Sequence, residues 1–228
     1  MAKLSTSKKI WLWGGVSVAV LTIVGLLVWK FTPFKKTIVD IANEEWALFG
    51  YQTRGKDGKL LREGSKEHHE GLWQRVGDYW RSVGRSLDGK DRGAPWSSAF
   101  ISFVMSRAGH PFGIPFRTAS AHNRYIREYI ANRKEGRLNA PFVGYRINEK
   151  APKVGDLVCY GRKGEGGYDD TSSYLGHCDI VVAKSRGEIE VIGGNVTESV
   201  TKRILATDNK GILVDRNNDW FTVIKNNA

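Results

Sequence analysis

Pro95-Trp96-Ser97-Ser98-Ala99-Phe100-Ile101-Ser102-Phe103-Val104 follows a polar, turn-rich run, Asp88-Gly89-Lys90-Asp91-Arg92-Gly93. From Phe100 the apolar spacing is helical (Phe100, Phe103, Val104, Ala108), and Gly109 stops it. A small polar residue therefore stands where a buried helix begins. Backbone N–H groups lack partners there, and the helix dipole favours a developing anion. Ser97 or Ser98 is either an ordinary N-cap or a group placed for chemistry.

Two segments of different character precede the region that contains this stretch. Residues 1–9 are short and basic, and Ile10 to Trp29 is 20 residues without a charge, long enough as a helix to span a bilayer's core of roughly 30 Å. Trp11, Trp13 and Trp29 lie near its ends, and Lys8, Lys9 and Lys30 flank it. No small-x-small cleavage site follows, so residues 10–31 are expected to form an uncleaved transmembrane signal anchor, with 32–228 as one folded domain. Lysines flank both ends, so the positive-inside rule leans only slightly towards an external domain. The net charge of +11 owes much to six lysines ahead of Asp40; residues 37–228 carry 29 basic and 24 acidic side chains. No dense Lys/Arg cluster is present, so no nucleic-acid partner is expected.

Helical patterns continue through Ile38, Ile41, Ala42, Trp46 and Phe49, with Glu44 and Glu45 expected to face water. Residues 50–66 read as an exposed loop. Leu72, Trp73, Val76, Tyr79, Trp80 and Val83 form a second helical face, and Tyr125, Ile126, Tyr129 and Ile130 a further one, with His122 near its start. Beyond Asn139 the period shortens. Runs at 142–146, 156–161, 177–183, 188–192, 202–207 and 220–224 are rich in Val, Ile, Leu and aromatics, separated by Gly, Asn, Asp or Pro. Helices first and strands second predict an α+β domain, its N-terminal helices packed on one side of a mostly antiparallel sheet. The cysteines, Cys159 and Cys178, fall on strands. They are either two small buried residues or one bridge between neighbouring strands. His68 and His69 lack metal-ligand company, and no zinc or phosphate-loop motif occurs, so no metal or other cofactor is expected.

Three groups stand in chain order: Ser97 at a helix start, His177 opening a strand, and Asn195 after Gly193-Gly194. A nucleophile needs a base beside it, and the base needs a third group to hold its ring. Trp96-Ser97-Ser98-Ala99-Phe100, Pro152-Lys153-Val154-Gly155-Asp156-Leu157-Val158, Gly176-His177-Cys178-Asp179-Ile180-Val181 and Ile189-Glu190-Val191-Ile192-Gly193-Gly194-Asn195 together resemble the CHAP and NlpC-type branch of the papain-like superfamily, closest to an uncharacterised bacterial subgroup. The resemblance spans roughly residues 38–225 and is diagnostic over about 95–200. It implies a papain-like fold and hydrolysis of amide bonds in peptidoglycan. The nucleophile would stand after Trp96, with His177 as base and Asn195 orienting it. Trp96, His122 and Asp179 are candidate substrate contacts. The chain departs from the pattern in placing Ser97 where cysteine is expected. A thiol titrates near ~8.5 and a neighbouring imidazole ionises it, whereas a hydroxyl must lose its proton as it attacks.

The expectation is a single-pass protein of the bacterial inner membrane, its domain in the periplasm or outside. It would act on cell-wall peptides through Ser97, His177 and Asn195. A non-catalytic domain that binds such peptides, or a membrane-tethered scaffold, is the alternative that the serine raises.

Overall fold

A computed structural model describes residues 36–109 and 113–228. In chain order the elements are α1 (Ile38–Leu48), β1 (Thr53–Arg54), β2 (Leu60–Arg62), α2 (Leu72–Arg81), α3 (Ser97–Arg107), α4 (His122–Lys134), β3 (Phe142–Arg146), β4 (Leu157–Gly161), β5 (Gly176–Ser185), β6 (Glu188–Gly193), β7 (Thr201–Ala206) and β8 (Asp219–Asn226). The strands form one sheet in the order β2-β1-β7-β6-β5-β4-β8-β3.

This corrects the expected architecture in the make-up of the sheet and in the order of helices before strands. The sheet is mixed: β1 pairs with β7 in parallel, and β1 and β2 precede most of the helices. They lie inside the segment read as a loop, and at two and three residues they are too short to show an alternation. No helix among the described residues is long and apolar enough to cross a membrane, and the anchor expected at 10–31 lies outside them. The papain-like part of the expectation gains no support from this topology.

Strand alternation divides the interior in two. Leu157, Cys159, Cys178, Ile180, Ile192 and Ile224 pack with the helices in one core. Val158, Tyr160, Val181, Ile189, Val191, Leu205, Trp220 and Val223 form a second core on the other face, with Leu213 and Ile147. Helix α3 is the pivot of the first. Every residue from Ser97 to Met105 is buried, so it is wrapped on all sides. Trp96 joins it: its ring lies 5.9 Å from Phe49 and 5.5 Å from Tyr79.

Helix α1 opens with a capping box, in which Asp40 N–H donates to Thr37 Oγ1 (3.2 Å) and Thr37 N–H to Asp40 Oδ2 (2.9 Å). Glu45, expected in water, is buried against α2. It accepts from Arg75 Nε (2.9 Å) and Tyr79 Oη (2.6 Å), which satisfy a carboxylate that burial would otherwise penalise. Cys159 and Cys178 face each other in the β4–β5 register and are joined in a disulfide, so the reading as two separate buried thiols is set aside. His68 and His69 are exposed, as expected.

Candidate functional site

Ser97 is the first residue of α3, and neither it nor Ser98 is the cap; Trp96 holds that position without a side-chain cap bond. The first helical bond runs from Phe100 N–H to Trp96 C=O (2.9 Å), leaving Ser97, Ser98 and Ala99 N–H without a helical acceptor. The next turn builds the site. Ser98 Oγ donates to Ala119 C=O (2.8 Å), and Ser102, one turn on, accepts Ala119 N–H (3.1 Å). These two serines fasten residue 119 to α3. The chain then turns at Ser120 and Ala121, and α4 begins with His122 above Ser97.

His122 Nε2 lies 2.8 Å from Ser97 Oγ, and Nδ1 is hydrogen-bonded to the buried Tyr125 hydroxyl one turn along α4. With the proton on Nδ1, the imidazole donates to Tyr125 and accepts from Ser97, the arrangement a general base requires. Burial, then the neighbouring His177 and Arg162, hold the His122 pKa well below its ordinary value, so the ring is neutral.

His177 is placed differently. Cys178 and Ile180 point to the helices, so alternation along β5 turns His177 and Asp179 to the opposite face, beside Tyr160 and Arg203. Both ring nitrogens are engaged: Nε2–H donates to Asp179 Oδ1 (2.9 Å) and Nδ1 accepts from Arg162 Nη2 (2.7 Å). Burial lowers its pKa to about 4, against the pull of Asp179. Asp179 also receives Arg203 Nε (2.9 Å); burial opposes its ionisation, but Arg203 and His177 keep its pKa below the usual carboxylate value. The expected Ser97–His177–Asn195 relay is therefore not formed. His177 has no lone pair left for Ser97, although its ring centroid is only 5.3 Å from that of His122.

Asn195, in the left-handed region at φ 55°, borders the cavity in front of Ser97. That cavity holds about 440 Å³ and is also lined by Glu67, His122, Arg162, Lys163 and Glu198. Gly193 and Gly194 let β6 approach: a Cβ at the first would overlap Asp179, and one at the second Phe100 and Trp96. Of the expected substrate contacts, His122 lines the cavity. Trp96 and Asp179 are buried, Trp96 in the aromatic core with its Nε1–H on Glu67, and Asp179 in the His177 network. Asp156 serves a strand end, accepting Lys153 N–H (2.6 Å) and Asn226 N–H (3.0 Å). No cluster of three or more metal-ligating side chains occurs among the described residues.

Sequence reasoning undervalued His122. The signal was available in Ser98 and Ser102, four apart on the helix, but their partner at residue 119 is a tertiary contact. No curated protein and no solved structure matches the chain. A bacterial family described as "Uncharacterized protein conserved in bacteria (DUF2272)" matches residues 67–225, which include α2, α3, α4 and every strand from β3 to β7. The chain belongs to that family.

Proposed function

We propose that this domain hydrolyses amide bonds of cell-wall peptides, with Ser97 as nucleophile and His122 as the base. The observation that carries it is the 2.8 Å contact between Ser97 Oγ and a neutral, buried imidazole at a helix N-terminus that opens on a cavity. In the first step Ser97 Oγ bonds to the carbonyl carbon as its proton passes to His122 Nε2. The unpaired N–H groups at the start of α3 face the developing oxyanion. His122 then gives the proton to the departing amine as the C–N bond breaks. Water, activated by the same imidazole, releases the acyl group and restores Ser97. Tyr125 holds the ring. The choice of peptidoglycan rests on the motif resemblance. The disulfide supports work outside the cytoplasm, where such bonds persist.

One observation favours a second reading, binding without turnover. The group behind His122 is a phenol rather than a carboxylate, so an imidazolium formed there would have Arg162 nearby and no directly bonded anion. Purified sacculi separate the two. On the hydrolase reading, wild type releases new amino groups and Ser97→Ala does not. Equal release by both proteins would remove it, and activity appearing only in Ser97→Cys would favour the binding domain.

A further inference from the structure

The cavity at Ser97 is bordered by opposite charges on separate loops. Glu198 lies on the β6–β7 connection, and Glu67 N–H donates to Glu198 C=O (2.8 Å), so these two acids share one side. Arg162 and Lys163 directly follow β4. In the sheet, β6 and β4 flank β5, so the strand ends next to the two groups stand two strand spacings apart, roughly 10 Å. Among the described residues no ion pair joins them. Burial and the neighbouring Glu198 raise the Glu67 pKa, with Trp96 opposing, and no basic residue of the cavity contributes.

The loops that carry these charges are held in costly backbone conformations. Lys163 (φ 58°), Asn195 (φ 55°), Thr197 (φ 55°) and Glu198 (φ 59°) are all non-glycine residues in the left-handed region. On the acidic side the restraint is visible. Fully buried Gln52 donates to Thr201 Oγ1 (2.7 Å) and Val196 C=O (3.1 Å), and Arg54 donates to Thr197 Oγ1 (3.0 Å). The short β1 thus serves to set the β6–β7 loop. A cavity with preset, unneutralised charges of both signs lacks the counter-charges that a ligand would bring.

We propose that the ligand of this cavity is a short peptide bearing both a free ammonium and a free carboxylate. The ammonium lies towards Glu67 and Glu198, the carboxylate towards Arg162 and Lys163, and an amide between them over Ser97. An extended tripeptide, at about 3.3 Å per residue, matches the separation. A chain terminus and a lysine-type side chain are the two sources of such an ammonium. This deepens the hydrolase reading and names its substrate class, but the recognition it describes does not require turnover.

The test is calorimetric binding to the full chain carrying Ser97→Ala, with trialanine, N-acetyl-trialanine, trialanine amide and the doubly blocked peptide. N-acetyl-Ala-Lys-Ala supplies the ammonium from a side chain. Free trialanine or N-acetyl-Ala-Lys-Ala should bind at least tenfold tighter than N-acetyl-trialanine, and the winner identifies the source of the ammonium. Amidation of trialanine should cost a similar factor. Glu198→Gln should reduce the acetylation penalty below threefold, and Lys163→Met the amidation penalty, with circular dichroism showing both variants folded. Equal binding of free and blocked peptides, penalties unchanged in folded variants, or no binding at millimolar peptide would each overturn the proposal. Charge-dependent binding by a protein that never cleaves sacculi would remove the hydrolase reading and leave this one standing.

Discussion

Two histidines 5.3 Å apart have opposite environments. His122 belongs to the helical layer, borders the cavity and directs one nitrogen at Ser97. His177 belongs to the far face of the sheet and has both nitrogens committed, to Asp179 and Arg162. Chain order favoured His177, because it opens a strand 18 residues before Asn195 and sits in a motif. Geometry favours His122, because a base must offer a lone pair to the proton it takes. The difference teaches that a histidine's role follows from what its second nitrogen is doing. His177, Asp179 and Arg203 form a buried polar network behind the site, while Ser97 and His122 border the cavity.

Swapping the histidines one at a time is the strongest way to break that contrast. His122→Ala should lower hydrolysis of sacculi by about 10²–10⁴-fold, the usual contribution of a positioned base. His177→Gln should retain most of the activity of its folded fraction; the reverse ranking, measured as initial rates, would return the base to His177. The buried unit should dominate stability instead. Arg203→Leu leaves Asp179 charged and short of its main partner, and should cost about 3–5 kcal/mol in urea unfolding. A loss below ~1 kcal/mol would show that the network is not structural.

The disulfide behind His177 sharpens the same point. Cys159→Ala with Cys178→Ala opens a link across a separation of 19 residues and should cost about 3 kcal/mol. Acid should act through both histidines. Each has a folded pKa below its ordinary 6.5, so the unfolded chain takes up protons that the native chain refuses. Stability is fully present above about 6.5 and is lost as pH falls towards about 4, where His177 titrates in the fold. The slope should approach 1.4 kcal/mol per pH unit for each histidine, and His177→Gln should flatten it. A midpoint temperature unchanged between these pH values would contradict the burial of both rings. Smallest of all, Ser102→Ala should cost about 1 kcal/mol by releasing Ala119, and its effect on activity should exceed its effect on stability.

Much of the fold was legible in local pattern. The spacing around Phe100 predicts a helix over 97–108, and α3 runs Ser97–Arg107. Every strand expected beyond Asn139 is present, β3 at the same bounds and β4 one residue shorter. Glu45 was misread because nothing in its own helix announces Arg75 and Tyr79 on another. The bridge between Cys159 and Cys178 needed the β4–β5 register, which two strand patterns do not contain.

What the sequence by itself determined is therefore the set of periodic elements and the placing of Ser97 at a helix start, because both depend on residues within a turn or two of one another. Tertiary structure decided which histidine meets that serine. Alternation along β5 carries His177 to the far face, and two serine bonds to Ala119 bring His122 to the near one. The first could be inferred only after the buried face of the strand was known, and the second depends on bonds between serine hydroxyls and a backbone unit 17 and 21 positions away.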